Sequence, residues 1–183
     1  MHSFSIVGLP DKAVEESRDR MNAAIKNAGY KAPKQSNRKT VISLAPADLK
    51  KEGPVFDLPM SIAYLLALKE LDFNPENKIF LGELSLDGGL RPMKGALPLA
   101  LAAKKHGYEE IFLPKANASE AALVSGIKIY GAQSLEEVIK HLDEKSEYTI
   151  APQGRAKIVA TPAKKTGDFA DVKGQETAKR ALE

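Results

Sequence analysis

Between Leu58 and Leu71 the sequence reads LPMSIAYLLALKEL, a run with almost no polar side of its own. Asp57 stands before it as a predicted N-cap, and Pro59 falls in the first turn, where a missing amide donor costs nothing. A helix apolar on nearly every face must be enclosed by other elements, so the chain needs a layered core around this segment. The flanking sequence supplies those elements. Phe4, Ile6 and Val7 read as a strand ending at Gly8-Leu9-Pro10, and Asp11 opens a helix whose Val14, Met21, Ile25 and Ala28 fall on one face, with Gly29 as the stop. Thr40 to Leu44 is a β-branched strand, followed by a Pro-rich connection from Ala45 to Pro59.

Beyond the apolar helix, Ile79 to Leu84 is a strand, Asp87-Gly88-Gly89 a turn, and Leu90 to Met93 the returning hairpin strand. Gly95 to His106 reads as a second apolar helix, with Lys104 and Lys105 in its last turn and Gly107 as the stop. Ile111 to Leu113 and Ile127 to Tyr130 are short strands, with a helix opening at Asn117 between them. A last helix runs to Leu142 with Ser134 and Glu137 spaced as a capping box. This alternation over Phe4 to Leu142 predicts an α/β fold of two-layer α+β type.

A length of 183 residues allows one ordinary domain and part of a second. The expected division is a domain at 1–143, a basic linker at 144–168, and at 169–183 the start of a further module where the chain is cut. A hydrophobic fraction of 43% with 28% charged residues suits a globular protein. Neither a signal peptide nor a membrane-spanning run is evident, which predicts a cytoplasmic protein without a membrane partner. There are no cysteines, which excludes disulfides and thiolate chemistry. His2, His106 and His141 stand far apart, read as surface residues at helix ends, and predict no metal site. Neither GxxxxGK[ST] nor GxGxxG occurs, so no cofactor is expected on this chain, and no small-molecule substrate is evident. Asp48, Glu52, Asp57 and Glu83 offer an acid/base pair on paper, but the capping role accounts for Asp57 more simply.

The net charge of +3 matters only through its distribution. Lys26, Lys31, Lys34, Arg38 and Lys39 lie in an acid-free loop with Tyr30 interleaved, and Arg155, Lys157, Lys164 and Lys165 form a second acid-free run. The first of these is a candidate for contact with a phosphate backbone, through Lys31, Lys34, Arg38 and Lys39.

Taken together, the strings GLP, APAD, EGPVFDLP, LGELSLDGGLRPMKG, LPKANASEA and GQETAKRALE resemble the ComM/YifB family of Mg-chelatase-like AAA+ ATPases, over almost the whole chain. The resemblance implies a Lon-protease-like domain, a fold shared with GHMP kinases and a ribosomal small-subunit protein domain, placed before an ATPase module. It implies ATP and Mg in the longer protein, a hexameric ring, and work on DNA in recombination or natural transformation. Gly174 and Gln175 then correspond to the adenine side of the nucleotide pocket. In the Lon-type Ser-Lys peptidase the nucleophile position falls at Val55 and the lysine position near Leu97 to Leu99, and neither can perform that chemistry. Ser61 and Lys94 are the nearest substitutes. The expectation is a non-catalytic accessory domain aiding ring assembly and DNA engagement. The alternative is a degenerate peptidase with weak hydrolysis. Metal insertion into a porphyrin, which the family's name suggests, finds no ligand cluster here.

Overall fold

The computed structural model describes residues 3–155 and 171–182. Strand β1 (Ser3–Val7) pairs in parallel with β2 (Lys39–Ser43). Between them lies helix α1 (Lys12–Asn27), started by the Asp11 carboxylate, which accepts the Val14 amide at 2.8 Å. Gly8 must be glycine: its φ is +106°, and a Cβ there would sit 2.1 Å from the Leu44 carbonyl oxygen.

Helix α2 (Asp57–Ala67) is the expected central helix, burying Leu58, Met60, Ile62, Tyr64 and Leu65. It ends earlier than its apolar pattern, because Lys69 takes a φ of 58° and the Glu70 amide turns back to the Leu65 carbonyl. Two expectations about its surroundings are corrected. Asp57 is not an N-cap: a 3₁₀ turn over Pro54–Phe56 runs straight into the helix, Phe56 takes the cap position, and the Asp57 side chain is free to point elsewhere. The strand expected at 79–84 is two strands, β3 (Lys78–Phe80) and β4 (Glu83–Leu84). Gly82 interrupts it by donating to the Val55 carbonyl and accepting from the Leu58 amide, which spends its backbone on the start of α2.

The turn at Asp87 to Gly89 returns β5 (Leu90–Arg91) antiparallel to β4, as the spacing predicts. Helix α3 (Ala96–Lys105), β6 (Glu110–Pro114), α4 (Lys115–Ala121), β7 (Lys128–Ala132) and α5 (Leu135–Leu142) follow in order. A three-stranded parallel sheet has the order β3-β6-β7. The α/β class therefore holds, and the sheet's alternation explains its two apolar faces. Phe112 and Tyr130 join the core made by α1, α2 and α5, whereas Ile111, Leu113 and Ile129 pack on the alanines of α3 and α4. Helix α3, expected as a second apolar helix, fully buries only the small residues Ala96, Ala100 and Ala103 and leaves Leu99 and Leu101 exposed. A Cβ on Gly131 would lie 2.7 Å from that of Ala118, which is how closely α4 rides on β7.

The capping box of α5 is shifted by one residue. The Ser134 hydroxyl accepts the Glu137 amide, but the Glu137 carboxylate accepts from Gln133 rather than from Ser134. His141 is also half-buried rather than a plain surface residue. Its ring lies 5.3 Å from Phe112 and 4.8 Å from Tyr130, and its Nδ1 accepts the Ile150 amide at 3.0 Å. Past Asp143 the chain stays on the domain: Ile150 is buried, and the Gln153 amide donates to Ile129 at 2.7 Å. Helix α6 (Glu176–Leu182) comes after a stretch outside the described residues. His2, Lys157, Lys164, Lys165 and Phe169 lie outside them too.

Candidate functional site

The position expected for a Lon-type nucleophile and the one expected for its lysine meet in a single cleft of about 410 Å³. Gly53, Pro54 and Val55 form one wall, Pro92, Met93, Lys94 and Leu99 the other, and Glu52 and Glu83 complete the lining. Both walls are fixed by side chains reaching backbone groups. On the first, the Asp11 carboxylate that starts α1 also accepts the Gly53 amide at 3.0 Å, and these two backbone donors hold its pKa below the usual carboxylate value. On the second, the Asn117 amide brackets Met93, accepting from its N–H at 2.9 Å and donating to its C=O at 2.8 Å. Glu120 accepts the Leu97 amide at 3.0 Å. The loop before α3 is thus pinned by α4.

The cleft's chemistry is apolar with three charges around it. Lys94 is its only amine, and no hydroxyl, thiol or imidazole is among its lining residues. Ser61 is fully buried in α2, away from the cleft, and its hydroxyl has no hydrogen-bond partner. Two residues after Val55 comes a feature that sequence reasoning missed. The Asp57 carboxylate, fully buried, accepts from the Ser17 hydroxyl, from Arg20 Nε at 2.6 Å and Nη2 at 3.1 Å, and from the Leu84 amide at 3.1 Å. That hydrogen bond to Asp57 raises the pKa of Arg20 above its ordinary value, against the opposing effect of burial. The network ties α1, α2 and β4 together. An Arg on the buried side of a helix, three residues from Ser17, was the signal available in the sequence.

The four basic candidates do not form one site. Lys34 is paired with Asp19 at 2.5 Å and borders a hollow with Arg18 and Ser3. Lys31 and Arg38 border a different hollow, shared with Glu70, and Lys39 opens β2. Tyr30 packs against the core instead of presenting its ring to solvent. Gly174 and Gln175, both with positive φ, immediately precede α6. Among the described residues no cluster of three or more His, Cys, Asp or Glu can hold a metal, and no helix is long and apolar enough to cross a membrane.

The family model for subunit ChlI of Mg-chelatase matches residues 1–117. The chain belongs to this family. Within it the chain falls with the ComM and YifB proteins: it is 41% identical over 181 residues to competence protein ComM of Haemophilus influenzae, covering 98% of this chain and 35% of ComM. About half of it is similar to two more distant proteins. It is 29% identical over 92 residues to the DNA repair protein RadA of Streptococcus pneumoniae, covering 50% of this chain and 22% of RadA. It is 32% identical over 97 residues to the Lon protease of Borrelia duttonii, covering 50% and 12%. This member of the ChlI family spans about a third of the length of the ComM and YifB relatives it matches.

Proposed function

We propose that the chain is a non-catalytic accessory domain of a ComM/YifB-type ATPase, serving ring assembly and engagement of nucleic acid. The observation that carries this reading is the 410 Å³ cleft, lined by Val55, where the family resemblance puts the nucleophile, and by Leu99, at the end of the Leu97 to Leu99 stretch where it puts the lysine. Valine has no atom able to attack a carbonyl, and leucine cannot serve as a base. Lys94 alone has no nucleophile to activate. The fold supplies rigid walls without the reactive groups, and function resides in the site rather than the fold. ATP and Mg would belong to the longer protein, since the phosphate-cradling glycine loop is not part of this sequence. Gly174 and Gln175 would then stand at the entrance to that module, with 1–143 as the accessory domain and 144–168, whose first part as far as Gln153 packs back on that domain, as the basic connection. Nucleic-acid engagement draws support from the basic runs and from the likeness to a DNA repair protein.

Incubation of the chain with unfolded casein tests the central point. The expected outcome is no cleavage above buffer. Turnover that disappears in Lys94→Ala or Ser61→Ala would replace the accessory reading with the degenerate peptidase.

A further inference from the structure

The second basic run has no part in the cleft, yet the fold gives it company. At the end of α3, Lys104 and Lys105 are both exposed. The Lys104 Nζ reaches to 3.5 Å from where a Cβ on Gly126 would lie. Gly126 in turn lines a hollow of about 170 Å³ with Ser125, Gln153 and Arg155. Arg155 is delivered there because the Gln153 amide is bonded to Ile129, which lays the departing segment along β7. Cations distant in sequence therefore converge from a helix terminus and from the outgoing chain.

No carboxylate lies within ion-pair distance of Lys104, Lys105 or Arg155 among the described residues, whereas Lys34 in the first basic run is neutralised by Asp19. Glu110, on the strand beside β7, is occupied by Lys78 and Lys128. From Tyr148 to Gly167 the sequence holds Arg155, Lys157, Lys164 and Lys165 and no acid, and of these Arg155 lies within the described residues. Tyr108, 39% exposed, follows the same helix end, and an exposed aromatic ring is the kind of group on which a base stacks.

We propose that Lys104, Lys105 and Arg155 form the surface by which this domain holds the phosphate backbone of single-stranded nucleic acid, with Tyr108 as a stacking platform. The proposal rests on the nucleic-acid part of the function above and moves its location from the 31–39 loop to the α3 end. An unpaired row of Lys and Arg releases condensed counterions when it meets phosphates, and one adjacent aromatic side chain adds sequence-tolerant stacking.

The test uses the 183-residue chain, a K104Q/K105Q/R155Q variant, a K31Q/R38Q/K39Q variant and Y108A, titrated with fluorescent single-stranded oligonucleotide at several salt concentrations. Circular dichroism and urea midpoints check that each variant is folded. The slope of log affinity against log salt should fall in magnitude by about 2 in the first variant, at roughly 0.7 per lost contact on a single strand. Y108A should lose about tenfold in affinity with its slope unchanged. An unchanged slope in the first variant overturns the proposal. If the loop variant then loses its slope, nucleic-acid binding stands and only the location is wrong; if the unaltered chain does not bind, both readings fall. Anionic phospholipid vesicles form a parallel arm: loss of vesicle binding in the first variant with oligonucleotide binding intact would assign the patch to a membrane surface instead.

Discussion

Removing the Asp57 carboxylate is the sharpest test of how this domain is held together. In Asp57→Ala the Arg20 guanidinium loses both of its bonds to the carboxylate, the Ser17 hydroxyl loses an acceptor, and the Leu84 amide is left buried without one. Breaking a buried ion pair by deleting one partner costs about 3–5 kcal/mol, and an orphaned buried donor about 1–3 kcal/mol, but the two overlap and do not add. The Arg20 side chain keeps 15% exposure and has Glu16 at 3.7 Å, so part of its charge can be recovered at the surface. That places the expected loss near the lower end, about 3 kcal/mol. With a urea m-value of about 2 kcal/mol/M, the midpoint should fall by roughly 1.5 M while m itself stays constant. Asp57→Asn keeps an oxygen for the Leu84 amide and should lose less, about 1–2 kcal/mol. In a double-mutant cycle with Arg20→Met, the second substitution should cost little once the first is made, because the charge left alone is gone. An Asp57→Ala midpoint within about 0.2 M of the unaltered chain would refute the assignment of Asp57 as the hub of α1, α2 and β4.

Three other outcomes follow from the geometry. Asn117→Ala removes both contacts to the Met93 backbone, so amide exchange from Met93 to Leu97 should accelerate and stability fall by about 1–3 kcal/mol. Burial lowers the His141 pKa below 6.5, with Glu110 opposing and Lys78 reinforcing. The folded state then binds fewer protons than the unfolded one, so the contribution is complete above pH 6.5 and is lost as pH falls through the folded value; in urea melts from pH 7.5 to 5, His141→Gln should lose the His141 share of that decline. Gly131→Ala forces a Cβ into contact with Ala118 and the Lys115 backbone, and should destabilise by about 1–3 kcal/mol in thermal melts.

The elements that sequence alone made legible are those whose signals are local. Asp11 as a cap, the Asp87 to Gly89 turn and the position of α2 depend on residues within a few positions of each other, and the structure has them in place. That Val55 and Leu99 line one cleft could not be read from local spacing, because the two are 44 positions apart in sequence. The burial of His141 could not be read from its helix-end position. It depends on Phe112 and Tyr130 stacking from two strands, and neither periodicity nor charge pattern reports on that. Helix α3 misled for a related reason. Its apolar sequence does not say which side chains face the fold, and the structure buries the alanines, packs Leu97 in part and leaves Leu99 and Leu101 exposed.

Asp57 shows why a carboxylate at the start of a helix is ambiguous. A cap and a buried counter-ion both place an acid ahead of an apolar run, and both benefit from the helix's positive end. What separates them is what lies upstream and across. A Pro-led 3₁₀ turn removes the need for a cap, and Arg20 on the facing side of α1 supplies a cation that would otherwise be stranded in the core. Ser17, one turn before Arg20, is buried only because it too bonds the carboxylate, so the polar residues on the inner face of α1 make sense as a set with Asp57. The 3₁₀ turn ahead of α2 and strand β4 contribute Val55 and Glu83 to the cleft lining. The first cleft wall and the core therefore share one ion pair, between Asp57 and Arg20.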